Sequence, residues 1–151
     1  MIGAGGAARS VVYALAKEGS AVLVVNRTAE RAERLVRDMT EALRLPEGRL
    51  SSAANDEAGL AEMRTYGDLV VQTTSVGMHP RDDEDALPAY RFTGGEIVYD
   101  IVYAPRETVF LRRAAEAGCR VVHGDEMLVN QAYRQFFLYT GKPYPRDDEE
   151  S

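Results

Sequence analysis

Short, uninterrupted apolar runs alternate with amphipathic stretches along this sequence, and that alternation restricts the fold more than any other feature. "SAVLVVN" (residues 20–26), "DLVVQTT" (68–74), "EIVYDIVY" (ending as a strand near Asp100) and "CRVVHG" (119–124) are strand-length runs with no polar face. Such runs suit strands buried on both sides. A weaker short strand is expected near residues 49–53. Between residues 28 and 43, Ala32, Leu35, Val36, Met39 and Leu43 recur at helical spacing, and Glu30/Arg34 and Glu33/Arg37 form i,i+4 pairs on the opposite face. Residues 56–63 read as a short helix, and "ETVFLRRAAEAG" as a helix closed by Gly118, a residue suited to the left-handed cap. A last helix over residues 127–140 is expected to pack Leu128, Ala132 and Phe136, flanked by Val129 and Phe137, on the sheet. Residues 77–90 read as an irregular connection whose acidic run, Asp82, Asp83, Glu84 and Asp85, is a solvated loop. Strands alternating with helices give an α/β fold, a doubly wound parallel sheet covered by helices.

One domain over residues 1–145 accommodates the pattern, with residues 146–151 as a frayed acidic tail. A net charge of −6 speaks against non-specific nucleic-acid binding, and no apolar run reaches membrane-spanning length. The single Cys119 excludes an internal disulfide and zinc cages built from several cysteines. No metal is expected, no signal peptide is seen, and a reducing cytoplasm is the simplest location.

"GAGGAA" at the start has the spacing G-x-G-x-x-[GA], with Gly3, Gly5 and Ala8 in the three positions. The first glycine permits a tight turn, the second lets backbone approach a pyrophosphate, and the third small residue lets a helix sit close to a strand. The helix then offers free N–H groups and its positive end to phosphate, while Ala8, Val11, Val12, Leu15 and Ala16 form its packed face. A turn that binds nothing has the same spacing. The end of the next strand decides between them. NAD enzymes place a carboxylate there to grip the ribose 2′-OH, whereas this chain has Asn26, Arg27 and Thr28. A carboxylate would repel a 2′-phosphate; Arg27 can meet one with a planar fork, Arg31 lies one turn further on, and Thr28 as a helix cap adds a hydroxyl. The cofactor expected is NADP.

With "GAGGAARS", "NRTAERA", "TTSVGM", "YDIVYAPRETVFL" and "GDEMLVNQAYRQFFLYTG" in this order, the chain resembles the NADP-binding, Rossmann-like domain of shikimate dehydrogenases from Ile2 to about Pro145. The resemblance implies that Gly3, Ala4, Gly5, Gly6 and Ala7 bind the pyrophosphate, and that Asn26, Arg27, Thr28 and Arg31 surround the 2′-phosphate. It implies that Thr73, Thr74 and Ser75 line the cofactor channel and that Ile101, Gly124 and Met127 meet the nicotinamide end. Tyr103 and Gln131 would reach the substrate. Two departures are visible: Gln72 stands where the family usually has Asn, and Glu126 precedes Met127 where many members have a small or apolar residue.

The family's separate N-terminal substrate domain, with its catalytic Lys and Asp, has no counterpart here. Lys17 and Lys142 do not match that motif, and His79 and His123 read as a loop and a strand-end residue, so no catalytic residue is assigned to this chain. Only Met1 and Ile2 precede the glycine turn. In the order 3-2-1-4-5-6 the strand before that turn is central. The expectation is a sheet lacking most of its first strand, in a piece of a longer protein whose missing domain is its partner. The resemblance implies hydride transfer between NADPH and the C3 carbonyl of 3-dehydroshikimate, on the route to chorismate and the aromatic amino acids. The rivals are a quinate/shikimate dehydrogenase, a fusion with dehydroquinate dehydratase, and a non-catalytic NADP-binding regulatory module. Nucleic-acid and membrane partners are not expected.

Overall fold

The first strong apolar run forms β1 (Val22–Asn26), whose first four side chains are all buried, as a strand covered on both faces requires. A computed structural model describes residues 1–145; the expected frayed tail, 146–151, lies outside the described residues. Helix α1 (Gly6–Lys17) precedes β1 and lays Ala8, Val12 and Ala16 against the sheet. After β1 come α2 (Ala29–Leu43), which buries Ala32, Leu35 and Met39, and β2 (Leu50–Ala54). Helix α3 (Glu57–Met63) starts at Asp56, whose carboxylate accepts the Gly59 N–H at 2.9 Å. β3 (Leu69–Gln72), β4 (Ile97–Asp100), α4 (Val109–Glu116), β5 (Arg120–Val122) and α5 (Gly124–Thr140) complete the order.

β1 pairs with β2, β3 with β4, and β4 with β5, always in parallel. Met1 and Ile2 join the two groups. The Met1 amine donates to the Leu23 carbonyl and the Val25 N–H to the Met1 carbonyl, both at 2.8 Å. On the other side the Ile2 N–H donates to the Val71 carbonyl at 2.8 Å, and the Thr73 N–H to the Ile2 carbonyl at 2.9 Å. The resulting order is β2-β1-(Met1, Ile2)-β3-β4-β5, the doubly wound arrangement expected. Beside Met1 a cleft of about 600 Å³ opens between β1 and β3, lined by Ala21, Leu23, Leu69 and Val71 among others.

Three expectations need correction. Helix α5 begins at Gly124, three residues early, and Gly124 is its only buried residue. Leu128, Val129 and Phe137 are exposed, and Leu138 is 66% exposed, so no stripe packs on the sheet. The apolar side chains of α5 surround the helix instead of forming one stripe, and its far end packs locally, with Tyr133 and Phe136 against Tyr144. Neither Glu30/Arg34 nor Glu33/Arg37 forms an ion pair among the described residues; α2 is tied to α1 instead by Arg9 and Asp38 at 3.0 Å. The acidic run is not simply solvated. Asp85 is half-buried against Arg113, whose guanidinium also reaches the Leu87 and Tyr90 carbonyls, Glu84 meets Arg81 at 3.3 Å, and Asp82 meets His79 at 3.2 Å.

Two buried carboxylates flank β4, and their surroundings treat them in opposite ways. Burial alone would raise the Glu96 carboxyl, but the Thr93 N–H at 3.0 Å and the Cys119 thiol at 3.3 Å hold it at about 2. Asp100 accepts only the Val102 N–H at 2.9 Å and the Thr108 hydroxyl at 2.7 Å, and burial prevails, pushing it up to about 6. Unfolded, Asp100 releases its proton near pH 4; folded, it keeps the proton until about 6. Its contribution is therefore complete below pH 4 and is lost as pH rises through 6, on the order of 3 kcal/mol over the interval. Asp100→Asn removes that dependence. Thermal melts should show the wild-type melting temperature, relative to the variant, falling between pH 4 and pH 6.5; parallel curves would refute it.

Candidate functional site

The carboxyl ends of the parallel strands meet at the glycine turn, the edge where open α/β sheets hold ligands. Gly3 has φ +103°, and a Cβ there would stand 2.6 Å from Thr73 Oγ1. That hydroxyl donates to the Ile2 carbonyl at 2.6 Å. The fold itself therefore requires glycine at position 3. Gly5 and Gly6 differ. A Cβ on either meets nothing within 4 Å, and Gly5 has φ −93°, open to any residue. Among the described residues no contact accounts for these two glycines.

A cleft of about 760 Å³ lies over this turn. Gly3, Ala4 and Gly5 line its base, Asn26, Arg27 and Arg31 one wall, and Thr73, Thr74 and Ser75 the other. Gly6 lines a smaller adjoining cleft, whereas Ala7 and Thr28 line neither. Thr28 occupies the N-cap position of α2, yet its side chain makes no capping bond, contrary to expectation. The Asn26 amide binds its carbonyl at 2.8 Å instead, fixing the bend after β1. No carboxylate follows β1, and among the described residues Arg27 and Arg31 are in no ion pair.

Gln72 explains the opposite wall. It is fully buried; its carbonyl accepts the Thr74 N–H, and its amide donates to the Val76 carbonyl at 3.1 Å. The departure from Asn is thus the clamp that shapes the Thr73–Thr74–Ser75 turn. Sequence reading also missed Asn55, Arg81 and Asp85, which line the same cleft. Asn55 follows the end of β2, so the parallel-strand rule could have found it.

The remaining expected residues sit along the β4 and β5 ends. The Ile101 N–H donates to the Gln72 carbonyl at 3.2 Å, setting this segment directly beside the Thr73 turn. A Cβ on Gly124 would lie 2.5 Å from the Ile101 carbonyl, so glycine lets α5 start against that backbone. Arg106 and Asp125, 2.7 Å apart, tie the loop after β4 to the first turn of α5. Tyr103 is 46% exposed, Gln131 is exposed and Met127 half-buried; none of these five lines the large cleft. Lys17 ends α1 near the Tyr13 ring, and both are exposed.

Comparison with known proteins agrees with this geometry. A family model described as "Shikimate / quinate 5-dehydrogenase" matches residues 1–56, and one described as "Shikimate 5'-dehydrogenase C-terminal domain" matches residues 124–148. Together they cover more than half of the chain. The chain belongs to the shikimate dehydrogenase family. Shikimate dehydrogenase (NADP(+)) of Methanosarcina acetivorans is 42% identical over 145 residues, covering 96% of this chain and 50% of the relative. The Thermus thermophilus shikimate 5-dehydrogenase, solved with NADP(H) and shikimate, aligns with TM-score 0.78 and 34% identity, over 95% of this chain and 49% of that one. Quinate dehydrogenase from Corynebacterium glutamicum, solved with NAD, aligns with TM-score 0.79 and 29% identity, over 94% and 49%. The chain spans about half the length of the shikimate dehydrogenases it matches.

The two kinds of glycine make opposite predictions for stability. Gly3→Ala forces a strained backbone and a contact with Thr73, and should lower stability by more than about 1 kcal/mol, a few degrees of melting temperature. Gly6→Ala, at the start of α1, should leave the melt unchanged or higher. Equal melts for the two variants would contradict the distinction.

Proposed function

We propose that this chain, over residues 1–145, is the NADP-binding half of a cytoplasmic shikimate dehydrogenase. The enzyme reversibly reduces 3-dehydroshikimate to shikimate on the route to chorismate and the aromatic amino acids. One observation carries the reading: the turn whose Gly5 and Gly6 no contact among the described residues explains lies beside Arg27 and Arg31, with no carboxylate at the end of β1. The relatives named as NADP(+) enzymes, and the Thermus structure with NADP(H), support it.

Gly3, Ala4, Gly5, Gly6 and Ala7 form the turn that receives the pyrophosphate; the Gly3 N–H is held by the Val25 carbonyl at 2.9 Å, so the donors come from the uncapped start of α1, which has no acidic residue in its first turn. Asn26, Arg27, Thr28 and Arg31 surround the 2′-phosphate; the Thr28 hydroxyl, unused as a cap, is free to donate. Thr73, Thr74 and Ser75, held by Gln72, line the channel toward Ile101, Gly124 and Met127 at the nicotinamide end. NADPH would supply the hydride to the carbonyl when bound and leave as NADP+, and the reverse reaction would return the hydride to NADP+. Tyr103 and Gln131 reach the substrate, and their exposure suits a cleft closed by another domain. The family resemblance implies that the acid–base Lys and Asp stand in a separate substrate domain. Positioning here and proton transfer there divide the work.

Cofactor choice tests the reading. Charge-assisted hydrogen bonds contribute about 1.5–3 kcal/mol each, so NADP should bind roughly tenfold to several hundredfold more tightly than NAD. Arg27→Ala should remove most of that difference and leave NAD binding unchanged, as calorimetric titration would show. Equal affinities in the wild type would return Arg27 to the role of a surface charge.

In the full-length enzyme, Gln131→Ala should raise the shikimate KM by about three- to tenfold, the loss of one hydrogen bond, while NADP affinity holds. Unchanged shikimate kinetics would leave Gln131 a helix-surface amide. The likeness to the Corynebacterium quinate dehydrogenase favours a second reading, in which quinate is also a substrate. The ratio of kcat/KM for shikimate and quinate separates the two.

A further inference from the structure

A second cleft, of about 360 Å³, lies on the outer side of the glycine turn, between the first turns of α1 and α2. Gly5 and Gly6 form one wall, and Arg9, Arg31 and Arg34 supply its charged side chains. Arg31 lines this cleft and the large one, so a ligand in the large cleft that passes Arg31 enters the smaller. Arg9 is already committed: its guanidinium lies 3.0 Å from the Asp38 carboxylate and 3.8 Å from Met39 Sδ. Arg34 is not. Glu30, one turn earlier on α2, forms no ion pair with it among the described residues, and no carboxylate lines the cleft. Three guanidiniums and the one carboxylate that meets Arg9 leave two uncompensated positive charges around bare glycine backbone. A phosphate monoester carries about 1.5–2 negative charges near pH 7.

We propose that Arg34 is a cofactor-specificity residue, which with Arg31 receives the 2′-phosphate of the dinucleotide in this outer cleft while Arg27 approaches it from the inner one. The proposal rests on the reading that the chain binds NADP, and assigns to the 2′-phosphate a residue outside the Asn26–Arg27–Thr28–Arg31 group. NAD, with only a hydroxyl at that carbon, has nothing for Arg34 to hold.

The test is titration of the protein with NADP, NAD and 2′,5′-ADP, comparing the wild type with Arg34→Gln, Arg34→Lys and Arg37→Gln. Arg34 and Arg37 are both exposed on α2, so thermal melts should be alike for all four proteins, but only Arg34 faces the cleft. Arg34→Gln should weaken NADP and 2′,5′-ADP by roughly tenfold and leave NAD unchanged. Arg34→Lys should recover part of the loss, since it restores the charge without the fork, and Arg37→Gln should bind as the wild type does. If the wild type prefers NADP and Arg34→Gln keeps the full preference, this proposal fails and the cofactor reading stands. An equal loss for NAD, or the same loss in Arg37→Gln, would also overturn it. A wild type with no preference for NADP overturns the cofactor reading, and this assignment with it.

Discussion

Four main-chain hydrogen bonds at Met1 and Ile2 hold the two halves of this sheet together. β1 and β2 form one parallel pair and β3, β4 and β5 another group, and Ile2 bridges them at Val25 and Gln72. The same backbone leads directly into Gly3, whose contact with Thr73 brings the turn after the first segment against the turn after β3. The two walls of the large cleft are therefore set by one short stretch of ladder. β1 and β3 face each other across the cleft of about 600 Å³ beside Met1.

Farther along the sheet the loops are fixed by buried polar groups instead of by ladder. Gln72 closes the Thr73–Thr74–Ser75 turn through its own amide. Asp100 joins the end of β4 to the start of α4, because the Thr108 hydroxyl that donates to it also accepts the Leu111 N–H at 3.2 Å. Glu96 collects the turn before β4 and the thiol of Cys119. Buried polar groups with every partner in place specify a single arrangement of backbone. Here they sit at the strand ends where the proposed site needs fixed walls. Asp100 is the exception in charge, since two donors do not offset its burial.

The strands and helices are legible in the sequence because each reports its burial in its own residues. β1 is four buried apolar side chains in succession, and α2 repeats its apolar residues at helical spacing, so neighbours in sequence carry the signal. The site is legible where chemistry is local. Gly3, Gly5, Asn26, Arg27 and Arg31 fall within two segments and do converge on one cleft. Helix α5 is not legible in the same way, because an apolar residue in a helix does not name its neighbour. Its Leu128 and Phe137, expected on the sheet, face outward. Spacing assigns Arg34 to Glu30, yet an exposed pair one turn apart is worth only about a few tenths of a kcal/mol, too little to hold two long side chains together.

By itself the sequence determined the alternation of strands and helices, the parallel sheet, and the glycine turn followed by a strand ending without a carboxylate. All of these follow from spacing and residue type within short windows. Only the tertiary structure decided which glycines the fold requires and which stand open, since that depends on Thr73, distant from Gly3 in sequence. It also decided that Gln72 clamps a turn, that Asp85 pairs with Arg113, and that Arg34 faces a cleft beside Arg31. Each depends on contacts between segments separated in the chain, and the energy of such contacts is set by distance and burial that no single window contains.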